Sequence, residues 1–376
     1  MMCNSYNHDK VKRELWVDIA KGIAIIAVVI GHIDYNYPQY GLLPIADILS
    51  DFWHVPVFFI IGGFFIKEDK LVKPVSFIKG KIDSLYKLLL YVYIPVLFLH
   101  NFFINIGFYD LNIDYSGKFV TVWDGKDMVV NILKAVFFAG REPLLGAMWF
   151  VYVLFAALVC FCVFSWGIKK FVRDNAIYEK VRFVVFLLLA VISCTMTNVY
   201  DFTIPRFNNV FTALWLLYIG MLLNQRKRIE YNNVFVLCVC LLLVFHMMVI
   251  HSGSVALNTN KYVDVVLLTV SSVSCLYIVC FSSKVIQQTS IGKLIGVIGK
   301  ESFYIMALQF FGFKICTMFV SLFGVERDLA QLKAPTGDSI IMYILYLVFG
   351  VFVPIVAIYI IRYIKNSCLS FCFKNK

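Results

Sequence analysis

The chain has 376 residues, of which 61% are hydrophobic, 17% aromatic and 15% charged, with a mean hydropathy of +0.82. Soluble globular chains run about 45–50% apolar and about 25% charged, so this balance excludes an ordinary cytosolic enzyme; being the reverse of a disordered composition, it excludes disorder too. A formal charge of +11 would suit nucleic acid if the cations formed one soluble face, but Lys and Arg fall between apolar runs, and no nucleic-acid partner is expected. The eleven cysteines include no CxxC and no Cys/His group at zinc spacing. Most sit inside apolar runs as small hydrophobes, so neither a disulfide framework nor a metal site is expected.

A helix of about 20 apolar residues crosses a bilayer core. Such runs lie near 14–34, 53–67, 82–106, 146–166, 181–199, 207–224, 233–251, 262–281, 302–323 and 339–361, the second lengthened if 44–52 joins it. The prediction is an all-α, polytopic membrane bundle of about ten helices. It forms a single domain over 1–376, with tails at 1–13 and 362–376 and no separate soluble domain. With a cytoplasmic N-terminus, the inner segments hold about three times as many Lys and Arg as the outer ones, which places both termini in the cytoplasm. The first run continues to His32 and Asp34 without a small-residue cleavage site, so it is read as a span of an inner or plasma membrane and not as a removed leader. One long outer stretch, 107–145, contains an apolar piece at 128–140 that suggests a re-entrant or interfacial helix; 282–301 reads as an interfacial amphipathic helix.

Ionisable groups inside spans cost about 2.5–3.5 kcal/mol each on insertion scales and are candidate functional groups by default. The first span carries Asp18, Lys21 and His32. Eleven residues make about three helical turns, so Lys21 and His32 project from one face roughly 16 Å apart, with Asp18 a turn before Lys21 and in reach of it. Taken singly, Lys21 reads equally well as a snorkelling anchor and His32 as an interfacial histidine. Together on one stripe they are better explained as lining an internal cavity. His54 opens the second run at similar depth, Pro56 suits a helix start, and Gly62-Gly63 allow another backbone to approach. Trp149 and Tyr152 read as interfacial belt residues, Ser302, Tyr304 and Gln309 as interhelical hydrogen-bonding groups, and Lys314 as a buried cation that needs a partner.

The pattern Arg13-x-x-Trp16-x-Asp18-x-x-Lys21-Gly22, Gly31-His32, then Phe52-x-His54-x-Pro56-x-Phe58-Phe59-x-x-Gly62-Gly63-Phe64 resembles the start of the membrane acyltransferase 3 family, and within it the fucose 4-O-acetylase-like branch. Trp149-Phe150 and Lys300-Glu-Ser302-Phe-Tyr304 resemble later landmarks of the family. The resemblance implies transfer of an acetyl or other acyl group from cytoplasmic acetyl-CoA, or another acyl-CoA, to a sugar hydroxyl of a surface polysaccharide or its lipid-linked precursor. Three departures stand out: Gly62-Gly63-Phe64 replaces the usual Ser-Gly-Tyr/Phe, Lys81-x-x-Ser84 replaces a basic pair, with Lys79 and Lys87 as possible substitutes, and Gln309 stands where a histidine is common.

A sugar hydroxyl needs a base during attack, and histidine titrates near working pH. His32 is assigned that role with His54 as its helper, while Lys21, Arg13 and Lys81 would attract the coenzyme A phosphates; Asp18, Pro56, Gly62, Gly63 and Trp149 orient them. Direct transfer and an acetyl-histidine intermediate both remain open. The competing class is a transporter or flippase using the same intramembrane charges, although no internal symmetry of the kind such folds show is visible.

Overall fold

The computed structural model describes residues 14–33, 53–115, 117–204, 206–225, 229–250, 255–326, 328–334 and 339–374. Arg13 and the proposed extension at 44–52 lie outside them. Every predicted span contains helix: α1 (Leu15–Ile30), α2 (His54–Phe64), a third run made of α4 (Pro74–Lys81), a π-helical turn (Ile82–Tyr86), α5 (Lys87–Phe98) and α6 (His100–Asn105), then α8 (Trp149–Phe171), α9 (Asn175–Asn198), α10 (Phe207–Gln225), α11 (Val234–Ile250), α12 (Val265–Ile286), α14 (Ser302–Ser321) and α15 (Ile340–Lys374). Between them lie the short α3 (Glu68–Leu71), α7 (Gly125–Val136) and α13 (Ser290–Lys300). Among the described residues there is no β-strand, and six helical stretches are long and apolar enough to cross a membrane: Pro143–Phe171, Asn175–Asn198, Phe207–Gln225, Val265–Ile286, Ser302–Ser321 and Ile340–Ser367.

Helix starts follow local chemistry. Asp174, Asp264 and Thr289 accept from backbone N–H groups of the first turns of α9, α12 and α13, and Asp124 with Asp127 forms a capping box on α7. Proline opens α4 and the 3-10 turn Pro143–Met148, where its missing N–H is no loss. The last helix runs to Lys374 and not to 361. Arg182, near the start of the predicted span 181–199, lies inside α9 and is fully buried. It persists there because Glu68 and Glu179 both pair with it and Tyr178 stacks on it.

Two close helix contacts set the frame. In α2 and α10, a Cβ on Gly63 would lie 2.1 Å from Leu217 O, and one on Gly220 would lie 1.9 Å from Ile60 O, so the backbones meet reciprocally. The expected approach at Gly62-Gly63 is therefore centred on Gly63; a Cβ on Gly62 meets only side-chain carbons, the nearest Leu217 Cδ2 at 3.2 Å. The second joins α13 to α1, where a Cβ on Gly299 would come within 1.7 Å of Asp18 O.

Candidate active site

His32 follows the last turn of α1. Its Nδ1–H donates to Val28 O at 2.8 Å, answering one of the carbonyls a helix end leaves unpaired. A carbonyl only accepts, so this bond fixes the proton of the neutral ring on Nδ1 and leaves Nε2 as the basic nitrogen. The ring meets Phe310 of α14 edge-on with centroids 5.0 Å apart. His54 is the first residue of α2, and its buried Nδ1 has no hydrogen-bond partner among the described residues. Pro56 occupies the third position, still inside the first turn, where its N–H would have been unpaired anyway.

His32 and His54 border one cavity of about 270 Å³ together with Val28, Trp149, Asn258 and Met306. Trp149 is thus a cavity wall, although the sequence suggested a belt residue. Tyr152, also read as a belt residue, is buried and donates to Ala135 O at 2.7 Å. The wall formed by 255–258 is held from behind by Asn260, which is fully buried at φ +58°. Its amide donates to Ser193 Oγ (2.9 Å) and Thr197 Oγ1 (3.1 Å), and its oxygen accepts from Thr212 Oγ1 (2.8 Å). Sequence reasoning missed this segment; its one signal was the Asn258-Thr259-Asn260 turn composition. Among the described residues Gln309 bonds only its own helix, through Met306 O at 3.5 Å, and does not join two helices as expected.

Lys21 stands at the opposite end of α1. Its ammonium lies 3.9 Å from the buried Asp18 carboxylate and 4.9 Å from the centre of the Phe65 ring, so the predicted Asp18–Lys21 pair is present. The wall of the His32–His54 cavity reaches one turn back to Val28 and does not include Lys21; Ile25, between them on this face, is fully buried. Lys81 sits over the Phe77 ring at 5.3 Å, with Lys70 close enough to repel it. The π turn follows directly, a local widening often found where a helix carries function. Of the substitutes considered for the missing basic pair, Lys87 is tied to Asp83 at 2.7 Å, and the Ser84 hydroxyl donates to Gly80 O at 2.8 Å. Arg13 lies outside the described residues.

A second polar cluster, which the sequence did not disclose, supports the His32 end. His100 is buried with Nδ1 3.0 Å from Glu142 Oε2 and Nε2 3.0 Å from Thr121 O, and it stacks on Trp123 at 3.6 Å. Tyr109 donates to the other Glu142 oxygen, and Glu142 N donates to Tyr93 Oη at 3.0 Å. Burial, then the Glu142 charge and hydrogen bond, push the Tyr109 hydroxyl well above its ordinary value, so it stays a donor. Tyr115 donates to Ala330 O at 2.8 Å, and Lys314 finds the partner the sequence could not name in Leu329 O (2.6 Å) and Gln331 O (2.7 Å). These bonds tie Tyr115 and Lys314 to 328–334, and Ala334 N in turn donates to His32 O at 3.2 Å. The candidate histidine is thus braced from the loop side. Among the described residues no group of His, Cys, Asp and Glu is placed to hold a metal ion.

A half-buried imidazole with its basic nitrogen left by the Nδ1–H bond, beside a cavity in an apolar helical bundle, suits proton transfer to or from a bound substrate. Comparison with known families agrees with this class: the profile described as an acyltransferase domain matches residues 14–363. The chain belongs to the acyltransferase 3 family and is a membrane acyltransferase. No curated protein and no solved structure matches it.

Proposed function

We propose that the protein moves an acetyl or other short acyl group from cytoplasmic acyl-CoA to a sugar hydroxyl of a surface polysaccharide or its lipid-linked precursor, in the manner of the fucose 4-O-acetylase-like branch. It does so within the inner or plasma membrane, through ten spans with both termini cytoplasmic. The observation that carries this reading is the pair of imidazoles on one cavity, with the His32 proton fixed on Nδ1 by Val28 O.

In the proposed reaction the acceptor oxygen attacks the thioester carbon while His32 Nε2 takes the hydroxyl proton. The tetrahedral intermediate collapses with cleavage of the C–S bond, and the imidazolium returns the proton to the departing thiolate. His54 orients the acceptor or the ring. Lys21 and Lys81, with Arg13, draw the donor phosphates to the other end of α1 as point charges. The pantetheine arm then spans the roughly 16 Å of helix between Lys21 and His32. Its path crosses Ile25, so α1 must part from its neighbours there when the donor binds.

The test is acyl transfer from labelled acetyl-CoA in membranes, with linkage analysis of the surface glycan. His32→Ala abolishes transfer while the protein still inserts, and Lys21→Ala raises the acyl-CoA concentration required with less effect on the limiting rate. Normal acetylation by His32→Ala would reject the assignment. Solute uptake with no transfer to any glycan would favour a transporter.

A further inference from the structure

A second, larger cavity of about 370 Å³ opens where the end of α7 meets α8 and the start of α10. Arg141, Arg206, Phe137, Phe138, Tyr152 and Phe207 are among its walls. The way α7 ends creates it. Its last carbonyls are all answered: Leu133 O by Phe137 N–H, Lys134 O by Ala139 N–H, Ala135 O by Tyr152 Oη and Val136 O by Tyr86 Oη at 2.7 Å. The chain then reverses through Phe138, at φ +64°, and presents the Phe138 and Gly140 carbonyls to Arg206.

Arg206 is therefore clamped. Its two terminal nitrogens donate to those carbonyls, and its guanidinium lies over the Tyr152 ring at 4.9 Å. The remaining N–H groups of the fork are available to another acceptor. Arg141 lines the same cavity, and no carboxylate forms an ion pair with either arginine among the described residues. The neighbouring acid, Glu142, faces the other way and is engaged by His100 and Tyr109. Burial, together with the like charge of Arg141, holds the Arg206 guanidinium below its ordinary value. The half-buried Arg206 and the exposed Arg141 bring like charges to one cavity with aromatic walls, an arrangement that an anion between them relieves. The rim is apolar, with Phe137 74% and Phe207 49% exposed, so the cavity offers paired positive charge to a head group and hydrocarbon contact to what is attached to it.

We infer that the cavity between α7, α8 and α10 is a binding site for a lipid bearing a terminal phosphate monoester or diphosphate, its phosphate held by Arg141 and Arg206 and its chain lying along Phe137 and Phe207. The charge count selects the class: a monoester carries about −1.5 to −2 at neutral pH and matches two guanidiniums, whereas a phosphodiester lipid carries a single charge. The site goes beyond the transfer reading and does not depend on it. It uses the side of α8 at Tyr152 and Ala156, while Trp149 and Phe150 serve the histidine cavity.

The test is binding of chain-matched dioleoyl phosphatidic acid and dioleoyl phosphatidylglycerol to the purified full-length protein in detergent, read by native mass spectrometry and thermal shift, with inorganic phosphate as a third probe. Phosphatidic acid binds about tenfold more tightly than phosphatidylglycerol, and Arg141→Gln with Arg206→Gln removes that difference. Because Arg206 also closes the α7 turn, the single variant Arg141→Gln, at an exposed side chain, provides a separate check and lowers phosphatidic acid affinity several-fold with an unchanged melting temperature. Equal binding of the two lipids, or full selectivity in Arg141→Gln, overturns the site. Inorganic phosphate binding as tightly as phosphatidic acid overturns the lipid assignment. His32→Ala retains lipid selectivity; a variant that keeps selectivity and also keeps transfer would refute the catalytic assignment and leave this site standing.

Discussion

Gly62 and Gly63 are adjacent, chemically identical and equally apt in the sequence, yet their replacement by alanine should have different outcomes. A methyl on Gly63 points at Leu217 O from 2.1 Å, with Leu217 C and Met221 N both at 2.9 Å. Real Cβ contacts essentially never fall below 3.0 Å, so α2 and α10 must separate by about 0.9 Å, and the obstacle is helix backbone that cannot rotate away. Overpacking of this kind costs about 1–3 kcal/mol. In the proposed reaction the displacement also reaches transfer, because His54 heads the same helix that Gly63 would push; a 1 Å misplacement of a catalytic element can cost about 100-fold in rate. A methyl on Gly62 meets Leu217 Cδ2 at 3.2 Å and Leu154 Cδ1 at 3.6 Å, the mobile ends of two leucines. There the strain is offset by the better helix propensity of alanine, about 0.8–1 kcal/mol. Thermal unfolding in detergent and acyl transfer in membranes should therefore show Gly63→Ala melting lower and transferring poorly, with Gly62→Ala near wild type in both. Equal behaviour of the two variants, or a neutral Gly63→Ala, would refute the packing argument.

Three further expectations concern the braces around the histidine cavity. Tyr109→Phe removes a hydrogen bond to a carboxylate and should lower stability by about 1.5–3 kcal/mol, read by thermal unfolding. Because the folded state holds the Tyr109 proton more tightly than the unfolded chain, the wild type loses stability as pH climbs past 10.0, and the Phe variant should show a shallower alkaline fall. Asn260→Ala should unfold earlier than Asn260→Gly by about 1 kcal/mol, since both lose the same hydrogen bonds but only Ala is strained at φ +58°; equal melting of the two would show that the backbone angle carries no energy. Lys314→Met preserves volume but leaves Leu329 O and Gln331 O unanswered, so it should destabilise by about 1–3 kcal/mol and speed proteolysis in 328–334; a gain in stability would mean that burying the ammonium outweighs its bonds.

The sequence by itself determined the helices and their class, because a bilayer-length apolar run is a local property: all ten predicted segments contain helix, and the pairing of Asp18 with Lys21 follows from helical spacing alone. His32 and His54 were legible as candidates for a similar reason, since a polar group is conspicuous against an apolar background. What tertiary structure decided is which side chains meet across helices. Nothing local marks Arg182 as buried against Glu68, Asn258 as a wall of the histidine cavity, His100 as the partner of Glu142, or Arg206 as the neighbour of Arg141. Each of those pairings joins residues on different elements or turned by the fold to opposite sides, and hydropathy along one chain has no term for the azimuth at which two helices pack.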